Sequence, residues 1–318
     1  MGRNRWTADQ MGDLSGKTVV VTGANSGLGF EAARAFANHG AGVVLACRDT
    51  ERGTEAGEQI REEAPEVPLT VIELDLADLS SIREFAANFE NTHDELHVLC
   101  NNAGVMAIPR SETTDGFETQ FGVNHVGHFA LTGLLLDHLR ETDGETRIVT
   151  QSSALHENGK IDFDDLQSQE SYDKWDAYGQ SKLANLLFAY ELQRRLRGAG
   201  IEDVTSVASH PGYASTNLQK RGPEQSGSTV RLWGMKAANA VFAQDAETGV
   251  LALLYAATAP DIDGGEYIGP GGFMNMRGHP EEQHSSDRSY DEETAERLWE
   301  VSKEFTGVSY DLETAVVV

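Results

Sequence analysis

Thr22-Gly23-Ala24-Asn25-Ser26-Gly27-Leu28-Gly29 decides how this chain folds. A short β-branched run, Lys17 to Gly23, leads into it. Beyond it, Phe30, Ala33, Phe36 and Ala37 fall on one face of a helix expected over Leu28 to His39, which Gly40 stops. Glycines between a strand and a helix let the backbone take positive φ and approach a ligand closely. The helix N-terminus then offers free N–H groups and partial positive charge to a pyrophosphate. A tight strand-to-helix turn would use glycine anyway. The placement of all three glycines at this junction points to a dinucleotide.

The same alternation continues outward. Strands are expected over Gly42 to Ala46, Leu69 to Leu74, His97 to Asn101, Thr146 to Thr150, Val204 to Ala208 and Glu266 to Ile268. Helices are expected from Asp49 or Thr50 to about Ala64, and over Leu79 to Phe89, Thr119 to Leu139, Ala177 to Leu196 and Ala246 to Ala257. Strands separated by helices imply βαβ units and a parallel sheet covered on both faces. No repeat or low-complexity linker divides the 318 residues, so one domain is expected over 14–318. Residues 1–13 read as a flexible N-terminal arm. The polar stretch Gln219 to Ser228 reads as an inserted lid, within a substrate loop over about 213–243. A C-terminal extension covers about 270–318.

Composition narrows the partners. There are 51 acidic against 25 basic side chains, a formal charge of −26. Such a surface repels phosphate backbones and anionic lipids, which argues against nucleic acid and membrane surfaces. No apolar run reaches the length of a membrane span, and Met1 to Asp13 lacks the apolar core of a secretory signal. Cys47 and Cys100 cannot build a disulfide framework, so a reducing, cytoplasmic setting is expected. The 25 cations are 18 Arg and 7 Lys. High acidity with few lysines suits a salt-rich cytoplasm, where the Debye length falls to about 3 Å at molar salt.

At the end of the second strand, a site for NAD usually carries an acidic residue on the ribose. Cys47 and Arg48 stand here instead. Arg48 can clamp a 2′-phosphate, which favours NADP(H); Asp49 taking the ribose is the alternative that keeps NAD(H) possible. Tyr178 and Lys182 are four apart on one helical face. A nearby ammonium and an oxidised nicotinamide are expected to lower the phenol from its usual value near 10, so that Tyr178 can exchange a proton with substrate. Ser152 and Ser153 follow the fifth strand, where α/β sheets place their ligands; either hydroxyl could bond the substrate oxygen. His125 and His128 share a helical face, but no acidic or cysteine partner completes a metal set, so no metal is expected. Trp175, Trp233, Phe242 and Phe273 hint at an apolar substrate.

Four separated motifs now converge. Thr22 to Gly29 resembles the TGxxxGxG turn of the short-chain dehydrogenase/reductase family. Asn101-Asn102-Ala103-Gly104 resembles its NNAG motif, Tyr178 to Lys182 its YxxxK pair, and His210-Pro211-Gly212 its PG turn. Ala46 to Asp49, Tyr178 to Asn185 and Thr294 to Trp299 are similar to the retinol dehydrogenase-like branch. The resemblance implies a single-domain α/β Rossmann fold, doubly wound, with a seven-stranded parallel sheet ordered 3-2-1-4-5-6-7. It implies alcohol–carbonyl oxidoreduction, mostly with NADP(H), by Tyr178, Lys182, Ser153 and Asn124. Spacing within the branch selects Ser153 over Ser152. Lys182 would also hold the nicotinamide ribose, and the Asn124 carbonyl would hold a water in a relay through Lys182. Cofactor contacts would come from Gly23, Asn25, Ser26, Gly27, Leu28, Gly29, Arg48, Asp75, Leu76, Asn102, Ala103, Gly104, Tyr178, Lys182, Pro211, Gly212 and Thr216. The family often assembles as homo-oligomers through its long helices. The polar run Met274 to Asp291 departs from the animal retinoid enzymes. A non-catalytic NADP(H) sensor is the competing function, although sensors often lose the Tyr/Lys pair. A sugar-nucleotide epimerase fits poorly, since GxxGxxG spacing and a larger C-terminal domain are missing.

Overall fold

The computed structural model describes residues 5–212, 246–272 and 275–312. Its strands are β1 (Thr18–Thr22), β2 (Gly42–Cys47), β3 (Leu69–Glu73), β4 (Val98–Asn101), β5 (Thr146–Gln151), β6 (Val204–Ser209), β7 (Tyr267–Pro270) and β8 (Pro280–Gln283). They form one sheet ordered β3-β2-β1-β4-β5-β6-β7-β8. All neighbours run parallel except β7 and β8. The order reverses between β1 and β4, so a crevice opens beyond their carboxyl ends, where such sheets bind ligands.

Alternation along the strands splits the core into two layers. Val19 and Val21 join Phe36 and Ile60 on one face, while Val20 joins Phe85, Phe129 and Phe188 on the other. The helices are α1 (Gly27–Asn38), α2 (Thr50–Glu63), α3 (Leu79–Glu90), α4 (Thr119–Phe121), α5 (Gly127–Glu141), α6 (Lys174–Gly198), α7 (Ala246–Gly249), α8 (Leu251–Thr258) and α9 (Glu292–Thr306). Asp49, Asp78, Asp173 and Asp291 cap α2, α3, α6 and α9 by accepting first-turn N–H groups.

Four expectations need correction. The sheet has eight strands, not seven. β8 is a polar antiparallel edge strand, Pro-Glu-Glu-Gln; it is held by backbone pairing to β7 and carries no apolar alternation to read. The helix expected over Thr119 to Leu139 is interrupted by a π-helical turn, Gly122–Val126. The helix expected over Ala246 to Ala257 is two helices, α7 and α8. Within the arm, residues 5–13 are anchored, not loose. Trp6 and Met11 are buried in the core, and Trp6 meets Tyr255 edge-on at 5.3 Å.

Helix α9 adds a feature absent from the strand–helix reading. Trp299 packs 5.1 Å from Phe129 of α5 and 5.9 Å from Phe188 of α6. That face of the long helices is covered by the chain itself.

Candidate active site

The turn after β1 is built by close approach. A Cβ on Gly29 would sit 2.4 Å from the Gly23 carbonyl oxygen, so only glycine lets α1 start so near the strand. Gly23 and Gly27 both have positive φ, 69° and 58°. The Ser26 side chain accepts no hydrogen bond from the helix it begins, and α1 carries no acidic residue in its first turn. Among the described residues its first N–H groups therefore lack a side-chain acceptor. They face a cleft of about 650 Å³.

That cleft brings together Gly23, Asn25, Ser26, Gly27, Leu28, Gly29, Arg48, Asp75, Leu76, Asn102, Ala103 and Gly104. Its far wall is fastened by Thr22. The buried Thr22 hydroxyl accepts from the N–H groups of Asn102 and Ala103, both at 2.9 Å. The Asn102 side-chain amide donates to the Thr22 carbonyl at 2.8 Å. The cradle, the free helix terminus and the cleft fit a dinucleotide.

At the adenosine end, Arg48 is 70% exposed and makes only a loose ion pair, 4.0 Å from the Asp75 carboxylate. Asp49 is committed otherwise: its carboxylate accepts the Arg52 N–H at 3.1 Å as the cap of α2. Cys47 is buried, and burial raises its thiol to about 11. Sequence reasoning missed Arg52, which also lines the cleft. Its spacing of four from Arg48, across the start of a capped helix, was the available signal.

Past Gly104, α6 presents Tyr178 and Lys182, both buried and neither lining that cleft. The Lys182 Nζ lies 5.8 Å from the Tyr178 ring centroid and donates to the Gln151 carbonyl at 3.0 Å. The Ser153 hydroxyl is the neighbouring side-chain group that favours the ionised Tyr178 phenol, against its burial. Ser152 is fully buried and donates to the Lys182 carbonyl at 2.8 Å, so it is spent on the backbone. Of the two serines, Ser153 is the one that meets Tyr178. The chain's own groups do not by themselves lower the phenol. Burial pushes it up to about 12, opposed by the Ser153 hydroxyl, while burial pulls the Lys182 amine down to about 7. Each charged form loses water and gains too few partners to replace it.

Asn124 sits in the π turn and ties three segments together. Its side chain donates to the Val105 carbonyl and the Ser181 hydroxyl, both at 2.9 Å, and accepts the Val105 N–H at 2.8 Å. The Ser181 hydroxyl donates to the Tyr178 carbonyl at 2.8 Å. The Asn124 carbonyl, expected to hold a relay water, already accepts from His128 Nδ1 at 3.0 Å, which takes one of its two lone pairs. His128 Nε2 faces the Thr22 hydroxyl at 3.0 Å. His125 turns away, to Ser302 at 2.9 Å. The two histidines thus serve separate hydrogen bonds.

Pro211 and Gly212 follow β6 and do not line the cleft; Gly212 lies against the Met276 carbonyl. Thr216, the lid Gln219 to Ser228, the substrate loop over 213–243, Trp233, Phe242 and Phe273 lie outside the described residues. Trp175 is 48% exposed at the start of α6.

Comparison with known proteins agrees with this geometry. The family model described as "short chain dehydrogenase" matches residues 17–227. Retinol dehydrogenase 12 of Mus musculus is 43% identical over 300 residues, covering 94% of this chain and 89% of that protein. A crystal structure of a putative uncharacterized protein from Mycobacterium paratuberculosis is 40% identical, with a TM-score of 0.79, covering 96% of this chain and 99% of that one. A putative NAD(P)-dependent gluconate 5-dehydrogenase from Beutenbergia cavernae, solved with bound NADP, is 25% identical, with a TM-score of 0.63 over 80% of this chain and 95% of that one. A glycine cradle at the sheet's crevice, a Ser–Tyr–Lys cluster beside it and these likenesses place the chain in the short-chain dehydrogenase family, as an NAD(P)-dependent oxidoreductase working between alcohols and carbonyls.

Proposed function

We propose that the chain is an NADP(H)-preferring oxidoreductase interconverting an apolar alcohol and its aldehyde or ketone, with Tyr178 moving the proton. One observation carries this reading: Tyr178 and Lys182 are buried one helical turn apart on α6, with the Lys182 Nζ 5.8 Å from the phenol ring and Ser153 beside the phenol. In reduction, the Tyr178 phenol donates its proton to the carbonyl oxygen; in oxidation, the phenolate takes it from the alcohol. Ser153 sets a second donor on the same oxygen, where negative charge develops. A charged Lys182 favours the phenolate and would hold the nicotinamide ribose. NADP(H), when bound, supplies or accepts the hydride.

The first N–H groups of α1 would hold the pyrophosphate, and Asp75 and Leu76 the adenine side. Arg48, with Arg52 beside it, would hold the 2′-phosphate, which is what favours NADP(H) over NAD(H). Asn124 would keep the segment after β4 and the start of α6 in register. Thr216 would serve the carboxamide. A reducing, salt-rich cytoplasm suits the two buried free thiols and the charge of −26. No helix among the described residues is long and apolar enough to cross a membrane.

The test follows nicotinamide absorbance with purified chain, NADPH or NADH, and a panel of aliphatic, aromatic and retinoid aldehydes and ketones, at low and molar potassium chloride. Turnover with NADPH, lost in Tyr178→Phe, is expected. Tight cofactor binding with no turnover of any carbonyl, unchanged in Tyr178→Phe, would return the sensor reading.

A further inference from the structure

Ser153 is gripped on both sides of its backbone. Its hydroxyl accepts the Leu155 N–H at 3.3 Å and meets the Tyr178 phenol. Its carbonyl accepts twice from one residue, from the His156 N–H at 2.9 Å and from His156 Nδ1 at 2.8 Å. A carbonyl oxygen can only accept, so Nδ1 carries the proton. On the far side of the ring, the Ser286 N–H donates to Nε2 at 3.1 Å. A backbone N–H can only donate, so Nε2 is bare. The two partners dictate a single neutral tautomer. The ring is buried and packs edge-on against Tyr267, with centroids 5.4 Å apart.

Ser286 is itself well anchored. Its carbonyl accepts the Ser289 hydroxyl at 2.6 Å, and the neighbouring Ser285 hydroxyl bonds the Tyr190 hydroxyl of α6 at 2.8 Å. Arg288 donates to the Gly159 carbonyl at 2.7 Å, closing the same turn from its other end. The segment after β8 is therefore a fixed backstop, and His156 is the rod between it and Ser153. None of these groups lines the cofactor cleft.

We infer that His156 is a positioning residue for Ser153, its Nδ1–H setting where the Ser153 hydroxyl stands over Tyr178 while the C-terminal segment braces the ring through Ser286. The inference rests on the assignment of proton transfer to Tyr178 and Ser153. It gives the segment after β8 a part in the chemistry that its distance along the chain conceals.

Asparagine and glutamine separate the two ring nitrogens. The Asn amide nitrogen reaches the place of Nδ1, and the Gln amide the place of Nε2. His156→Asn keeps the donor to Ser153 and drops Ser286; His156→Gln does the reverse. We measure kcat, and KM for NADPH, on the full chain with the best aldehyde of the panel. We also solve a crystal structure of each variant. His156→Asn, which keeps the donor to Ser153 but loses its brace, is expected to lose about 3-fold in kcat, and His156→Gln, which loses that donor, about 10-fold or more, on the scale that a misplaced group costs. KM for NADPH stays unchanged in both. In a Ser153→Ala background, His156→Gln adds no further loss, because the hydroxyl it positions is gone. In the crystal, the Ser153 hydroxyl leaves the phenol in His156→Gln alone.

Full activity and an undisplaced Ser153 in His156→Gln would overturn the inference. So would an equal further loss in the Ser153→Ala background, which marks a merely structural ring. Activity that survives Tyr178→Phe strikes instead at the proton-transfer assignment beneath it.

Discussion

Replacing Lys182 with methionine removes a buried titratable group while keeping an unbranched stem of similar length. Among the described residues the Lys182 Nζ has one acceptor, the Gln151 carbonyl at 3.0 Å, and burial draws its pKa from 10.5 to about 7. In the unfolded chain the amine returns to about 10.4. Between about pH 7 and pH 10 the unfolded chain therefore binds one more proton than the folded chain. The lysine's contribution to stability must rise with pH across that window, and it is flat below it. From about pH 7 to pH 9 the gain is about 2 kcal/mol, at ~1.36 kcal/mol per unit with the amine half-charged at the start. Tyr178 stays protonated throughout, since its phenol is held near 12. The buried Cys47 and Cys100 thiols, both pushed up by burial, oppose the trend by about 1 kcal/mol each up to pH 9, equally in both proteins, so only the difference between them reports the lysine. Urea unfolding of ligand-free wild type and Lys182→Met at three pH values, in constant salt, isolates the lysine as the difference between two slopes. Parallel curves would refute burial as the force acting on Lys182. The same titration sets how much ammonium is available to the Tyr178 phenolate.

Thr22→Val keeps the shape of a fully buried side chain but strands the Asn102 and Ala103 N–H groups, so it should cost about 2–5 kcal/mol in urea unfolding; Thr22→Ser should cost about 1. A valine loss below about 1 kcal/mol would sink this account of the cleft wall. Burial holds His125, His128 and His210 down to about 3, 4 and 4. The unfolded chain, with histidines near 6.5, then binds up to three more protons as pH falls from about 6.5 toward 4, so stability drops in that window. A urea midpoint unchanged between about pH 7 and pH 5 contradicts this. Arg48→Ala should weaken NADPH binding about 10-fold in calorimetry and leave NADH nearly unaffected; equal effects on both would remove Arg48 from the 2′-phosphate. With a charge of −26 around an anionic cofactor, NADPH affinity should improve from low to molar potassium chloride, and a steady fall with the fold intact counts against salt adaptation.

Much of the cofactor cleft could be read from local pattern. The glycines of Thr22 to Gly29 are there because a Cβ on Gly29 would collide with the Gly23 carbonyl, a constraint that acts within seven residues. The π turn at Gly122–Val126 left no such trace, because its apolar side chains fit an uninterrupted helix equally well. β8 was hidden for the opposite reason: Pro280 to Gln283 is polar, and it pairs with β7 through backbone groups and the Gln283 side-chain amide on the Pro270 carbonyl. Trp6 looked like part of a loose arm because its partner, Tyr255, lies far along the chain.

The order of strands and helices, the dinucleotide turn and the Tyr178–Lys182 pair were settled by spacing along the chain, since each depends on neighbours within a turn or a strand. Which serine faces the phenol was another matter. Ser152 and Ser153 are chemically identical, and they part only because one hydroxyl finds the Lys182 carbonyl and the other finds Tyr178. How burial weighs on the Tyr178 phenol and the Lys182 amine likewise appears only in the packed chain, pushing one up and the other down. His156 joins Ser153 to Ser286 across 130 residues of chain. Desolvation and long-range hydrogen bonds exist only once distant segments have packed, and no pattern of neighbours encodes them.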